Sequence, residues 1–439
     1  MLSLSPQRRL EILDALRRGT VPRRGLDALA VGLSRFEGVL DETLDQVAAG
    51  QSGFKAVRGD YGCGKTFFAR WLQERAKQRS FAVAEVQISE TETPLHRLET
   101  VYRRLIEHLS TATAETGAFR SIVDGWFYTL EEDAIAAGAD PSDPDRLFAA
   151  TQALMDQRLE KVSRTSATLA AVLRAYRQTL HAGDAATADG LLAWLGGQPN
   201  VAASVKRTAQ IKGDVDHFAA LNFLQGLLVI LRDSGHAGLV LVLDEIETLQ
   251  RVRSDAREKG LNALRQFIDE IDSGRFPGLF LIITGTPSFF DGQQGVKKLA
   301  PLAQRLATDF AEDGRFDNPR APQLRLRPFQ QENLLQVGRR VRDIYAEGCR
   351  DRDRMIMVAH DALIERLADR VGGALGSKTG VAPRIFLKKL VADVLDRIDQ
   401  FPDFDPERDY KLTLRVDELT DEERAQLPVN TVDEIKLQW

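Results

Sequence analysis

Eight residues, Gly59-Asp60-Tyr61-Gly62-Cys63-Gly64-Lys65-Thr66, constrain the fold of this chain more than any other stretch. They fit the pattern G-x-x-x-x-G-K-[ST]. The apolar run "FKAVRG" leads into them and "TFFARWLQERAKQ", which reads as a helix, leads out. Glycines let backbone N–H groups turn inward around phosphate oxygens, and the helix start adds the positive end of its dipole. The pattern assigns Lys65 to the β- and γ-phosphates and the Thr66 hydroxyl to Mg²⁺, with Phe67 opening the helix behind them. Average glycine usage of roughly 7% produces a chance match in about one chain of this length in a hundred. The expectation is bound ATP with Mg²⁺, in a fold that supplies a strand before the loop and a helix after it.

Further buried strands are legible downstream. "FAVAEVQIS" (81–89), "HAGLVLVLDEIETL" and "FPGLFLIITGTPSFF" read as strands, and "LHRLETVYRRLIEHL" and "REKGLNALRQFIDEIDSG" as helices. Near-continuous Val/Ile/Leu strands alternating with helices predict an α/β fold, with a parallel sheet covered by helices on both faces. The second of these strands ends in Asp244 and Glu245. After a phosphate loop, an acid there helps hold Mg²⁺, and its neighbour polarises the attacking water as general base. Asp244 takes the metal role and Glu245 the catalytic one. An isolated Asp-Glu pair also occurs at solvated strand ends. Six preceding apolar residues and the upstream loop favour the site. Glu247 fits either an assisting role or a surface helix position.

Composition bounds the function classes. The chain has 439 residues, 43% of them hydrophobic, and a formal net charge of −5. That balance argues against a protein basic throughout that coats nucleic acid, and leaves room for a local basic face. Two cysteines, Cys63 and Cys349, make no metal or disulfide framework and suit a reducing compartment. No apolar run reaches about 18 residues, so no membrane partner is expected. The N-terminus reads as an amphipathic helix, and the expected location is the cytoplasm.

The chain divides into six stretches. Residues 1–50 read as helices broken at "GTVPRRGLDALAVG", 51–110 carry the phosphate loop, and 111–235 read as a helical insertion. Residues 236–328 carry the acidic strand and the strand after it, 329–401 an all-helical lid, and 402–439 an acidic, mixed tail.

The two motifs and their order resemble the AAA+ P-loop ATPases, in the branch of the Orc/Cdc6 origin-recognition proteins. More narrowly, "ALRRGTVPRRGLDALAVGLSRFE", "VRGDYGCGKTFFARWL" and "GVAPRIFLKKLV" resemble the BrxD-like ATP-binding proteins of BREX-type phage-defence clusters. The resemblance covers roughly residues 8–110 and 236–400. It implies an ATPase with an AAA+ core and a lid. It places Arg23, Arg24 and Leu26 beside the adenine and a sensor threonine, Thr284 or Thr286, near the γ-phosphate. The wider class often has Asn at that position. It makes Arg305 an arginine finger acting on a neighbouring subunit's ATP in a homo-oligomer. Arg384, behind Pro383 at a helix start, becomes a lid contact to the γ-phosphate.

Two readings of what the ATP drives stay open. One is a DNA-associated motor or switch. Its sequence support is the run Arg325, Arg327, Arg339, Arg340, Arg342, Arg350, Arg352 and Arg354, which suits salt-dependent phosphate contacts. Asp343, Glu347, Asp351 and Asp353 suit a solvated, balanced helix face equally. The other is an ATP-gated switch that holds a partner protein, such as a helicase or another defence protein, on the insertion. Trp126 and Trp194 are its candidate surface residues, although tryptophans more often anchor cores. A small-molecule kinase is disfavoured by the acidic pair and the lid.

Overall fold

The computed structural model describes residues 4–160, 167–375 and 383–412. The start of the "GVAPRIFLKKLV" stretch, 380–382, and most of the expected tail, 413–439, lie outside them. The fold is α/β. Five strands, β1 (Gly53–Arg58), β2 (Ala82–Gln87), β3 (Leu239–Asp244), β4 (Leu279–Gly285) and β5 (Gln323–Arg325), form one parallel sheet in the order β2-β3-β4-β1-β5. β5 is the strand that the sequence does not announce. Three residues suffice there because the Leu326 N–H extends the pairing to the Arg58 carbonyl at 2.8 Å.

The chain forms two compact units, and β1 carries the backbone from one into the other. The larger holds Val39–Ala56 and Arg75–Thr308. Every residue of β3 and β4 is buried, as a sheet covered on both faces requires. Their register is β2 Gln87 opposite Asp244, and Leu243 opposite Ile283. Gln87, Asp244 and Thr284 therefore fall in one row at the carboxyl ends of three parallel strands, the edge at which open α/β sheets bind ligands.

The expected insertion is helical. Its helices Pro144–Arg158, Ala185–Leu195 and His217–Asp233 each start behind an aspartate, Asp143, Asp184 or Asp216. That side chain accepts a backbone N–H of the first turn. Trp126 and Trp194 are buried in the unit's core, with their indole N–H groups on Asp233 (3.0 Å) and the Gly213 carbonyl (3.1 Å). They are core anchors, so neither is available as a docking surface.

The smaller unit holds Met1–Gly38, Val57–Glu74 and Asp309–Trp439. Helix Pro6–Arg17 starts at Ser5, whose side chain accepts the Arg8 N–H, with proline in its first turn. Its buried Ile12, Leu13 and Leu16 join Leu334, Val341, Phe386 and Leu390 in one core. Arg17 and Tyr345 tie that core together through Asp396. The guanidinium makes two bonds of 2.8 Å and the phenol one of 2.7 Å.

Candidate functional site

The phosphate loop lies in the smaller unit. Its glycines are fixed by geometry at three points. A Cβ on Gly59 would stand 2.3 Å from Cys63 Sγ and 3.1 Å from the Leu326 carbonyl oxygen, so no larger residue fits. Gly62 (φ 77°) and Gly64 (φ 95°) hold left-handed conformations that L side chains rarely adopt. The helix Lys65–Gln78 begins at once after the loop. Asp60 is exposed, and Tyr61, Gly64, Thr66 and Phe67 are half-buried. The Lys65 ammonium folds back over the loop. It donates to the carbonyls of Gly59 (2.9 Å) and Asp60 (3.3 Å) and stands 5.0 Å from the centre of the Tyr61 ring. Cys63 is buried, and burial pushes its thiol up to about 11, so it serves as a small loop residue and not as a nucleophile.

Residues of the same helix hold the segment expected beside the adenine. Glu74 accepts the backbone N–H groups of Gly25 (2.6 Å) and Leu26 (2.7 Å). Trp71 donates its indole N–H to Asp27 (2.8 Å), and Arg70 donates to the Val21 carbonyl (3.1 Å). Leu26 is thereby buried, Arg24 is half-buried and Arg23 is exposed. Sequence reading missed these anchors; the helical spacing of Arg70 and Glu74 was the available signal. Arg384 rests against the turn after the first helix, where a Cβ on Gly19 would lie 3.4 Å from its guanidinium.

The acidic strand end lies in the larger unit. The Thr284 hydroxyl donates to Asp244 Oδ1, which also accepts the Glu245 backbone N–H at 3.1 Å; that N–H lies 3.3 Å from Thr284 Oγ1. Thr284 is fully buried and Asp244 is 6% exposed, so this set is dry and fixed. Glu245 has φ 59°, a left-handed conformation uncommon for a residue that carries a Cβ, and projects to the surface. Gln87 donates its amide N–H to Glu245 Oε2 at 2.8 Å. Gln87 is the polar residue that the sequence reading overlooked. Only the β2–β3 register brings it beside the acid.

Of the two candidate threonines, Thr284 touches Asp244, while the Thr286 hydroxyl pairs with that of Ser288 at 2.9 Å. Glu247, for which a surface position was one expectation, is buried in the single turn after Glu245. Arg305 ends the short helix Ala300–Arg305 and pairs with Asp269 of its own chain. The arginine run that begins in β5 is drawn largely into its own unit. Arg325 holds Asp317 with two bonds, Arg339 and Arg342 share Asp361, and Arg354 donates to the carbonyls of Ile398, Phe401 and Phe404.

The donors suit the expected groups. The left-handed glycines and the helix start make an anion cradle, and Thr66 and Asp244 are hard oxygen donors of the kind Mg²⁺ takes. No helix among the described residues is long and apolar enough to cross a membrane. No curated protein matches the chain. A family model described as BREX system ATP-binding protein BrxC/D matches residues 4–414. The chain therefore belongs to the BrxC/D family of ATP-binding proteins of the BREX phage-defence system.

Proposed function

We propose that this protein hydrolyses ATP and uses the cycle as a DNA-associated motor or switch in the defence system. The observation that carries the hydrolytic part is the row Gln87, Asp244 and Thr284, with Glu245 directed outward at its end. A pure binding site has no need of a carboxylate held in a strained backbone conformation and steadied by an amide. In this reading the loop amides and Lys65 bind the phosphates. Thr66 and Asp244 are the expected Mg²⁺ ligands, and the ion would supply charge neutralisation at the phosphate oxygens. Glu245 accepts the proton of the attacking water, and Gln87 orients its carboxylate. Thr284 fixes Asp244 and the Glu245 backbone. Arg305 acts on a neighbouring copy in a homo-oligomer, Arg384 contacts the γ-phosphate, and Arg23, Arg24 and Leu26 flank the base.

The DNA part rests on the family's place in phage defence and on arginines near β5. Its test begins with the nucleotide. Lys65→Ala should abolish binding of a fluorescent ATP analogue while leaving the unfolding transition in place. Retained binding would remove the phosphate loop from the account.

A further inference from the structure

Within the smaller unit, guanidinium groups gather around one glycine in the loop before β5. Gly314 has φ 58°, and a Cβ there would lie 2.5 Å from an Arg327 terminal nitrogen and 2.6 Å from one of Arg325. The two groups thus stand side by side. Arg325 and Arg58 lie over the Phe310 ring, 4.8 Å and 4.9 Å from its centre. Arg35 comes from the start of helix Ser34–Ala48 and donates to the Arg325 carbonyl oxygen. Burial and the charges of Arg327 and Arg325 both oppose the charge on Arg35, and Asp317 is the carboxylate that acts on it in the other direction. Asp317 is already held by Arg325 at 2.7 Å and 2.8 Å. The loop's other acids, Asp309, Glu312 and Asp313, are exposed, and Asp313 is turned onto the Arg315 backbone N–H at 2.9 Å.

Cations crowded together with one shared carboxylate suit an anion from outside the chain. The next residues on the loop narrow its kind. Phe316 is 77% exposed, and Arg315 stands 5.3 Å from the centre of its ring. Arg315 and Arg327 are themselves exposed. An exposed aromatic ring beside guanidinium groups matches the way single strands are held, with phosphates on cations and a base on the ring. An acidic peptide would use the cations and leave the ring without a role.

We propose that Arg35, Arg325, Arg327 and Phe316 form a binding site for single-stranded nucleic acid. This rests on the DNA reading above and gives it a place on the molecule.

The test uses the full chain and a fluorescent oligothymidylate of about 20 nucleotides, with polarisation read at about 50 mM and about 200 mM salt. The protein should bind at low salt and release as salt rises. Arg327→Glu should weaken binding by about tenfold or more, and Arg327→Ala should reduce the salt slope by about 0.7. Phe316→Ala should cost about fivefold or more, and Phe316→Tyr should restore binding. All four variants should bind the fluorescent ATP analogue as the parent does. Binding unchanged in Arg327→Glu and Phe316→Ala would overturn the site and leave the wider DNA reading intact. Loss in Arg327→Glu with none in Phe316→Ala would overturn the nucleic-acid assignment in favour of an acidic partner. Absence of binding by the parent to both this strand and a duplex at low salt would overturn the DNA reading itself.

Discussion

Replacing Thr284 by valine removes one oxygen and keeps the shape of the side chain, so packing is preserved. What is lost is the hydroxyl bond to Asp244, together with a polar neighbour of the Glu245 N–H. Thr284 is fully buried and Asp244 is 6% exposed, so water has no easy route to replace that bond. A hydrogen bond to a charged group in such a setting contributes about 1.5–3 kcal/mol. The Glu245 N–H stays on Asp244 at 3.1 Å and keeps the loss near the middle of that range, about 2 kcal/mol. Thr286→Val is the matched control. Its bond is to the neutral hydroxyl of Ser288, and its loss should cost about 0.5–1.5 kcal/mol. Denaturant unfolding of both variants gives the comparison, read as a shift in midpoint at constant slope. Phosphate release should fall by about tenfold or more in Thr284→Val, because about 1.4 kcal/mol of lost positioning is a factor of ten in rate. Affinity for ATP should change far less. Equal effects in the two variants, or a larger loss in Thr286→Val, would refute the assignment of Thr284 as the residue that positions Asp244 and Glu245.

Two further variants probe Glu74 and Lys55. Glu74→Ala removes the acceptor for the Gly25 and Leu26 N–H groups, and should cost about 1–2 kcal/mol of stability, measured by denaturant unfolding, as loss of a helix cap does. It should also weaken ATP binding through the segment expected beside the base. Lys55, on β1, is 6% exposed, and burial lowers its ammonium from the ordinary 10.5 to about 8. Lys55→Met removes that titration and serves as the reference. Between about pH 8 and 10.5 the unfolded chain binds the extra proton, so parent stability should rise relative to the variant. Parent stability that falls relative to the variant over that window would show that burial is not the cause.

The parts of the fold legible in the sequence are those in which local pattern and tertiary role agree. β3 and β4 are apolar throughout because both faces are covered, and the phosphate loop carries its geometry in its glycines. β5 was not legible because Gln323, Leu324 and Arg325 become a strand only by pairing beside β1. Gln87 looks like any polar strand end until the register sets it opposite Asp244. Glu247 follows an acidic strand end and fits an assisting or a surface position equally in the sequence, and the tight turn after Glu245 directs it inward. The arginines from β5 onward read as one basic run. Asp317 and Asp361 are brought to Arg325, Arg339 and Arg342 by the fold, and the Ile398, Phe401 and Phe404 carbonyls reach Arg354 from 44, 47 and 50 residues away. Charge spacing along a sequence carries no information about such partners.

Hydrolysis at Glu245 is probed by following bound ATP and released phosphate on the same sample of Glu245→Gln. This change keeps the side chain's size and its capacity to pair with Gln87, and removes the base. ATP should bind as tightly as to the parent, and phosphate release should fall by about a hundredfold or more. Phosphate release at the parent's rate would remove Glu245 as the general base.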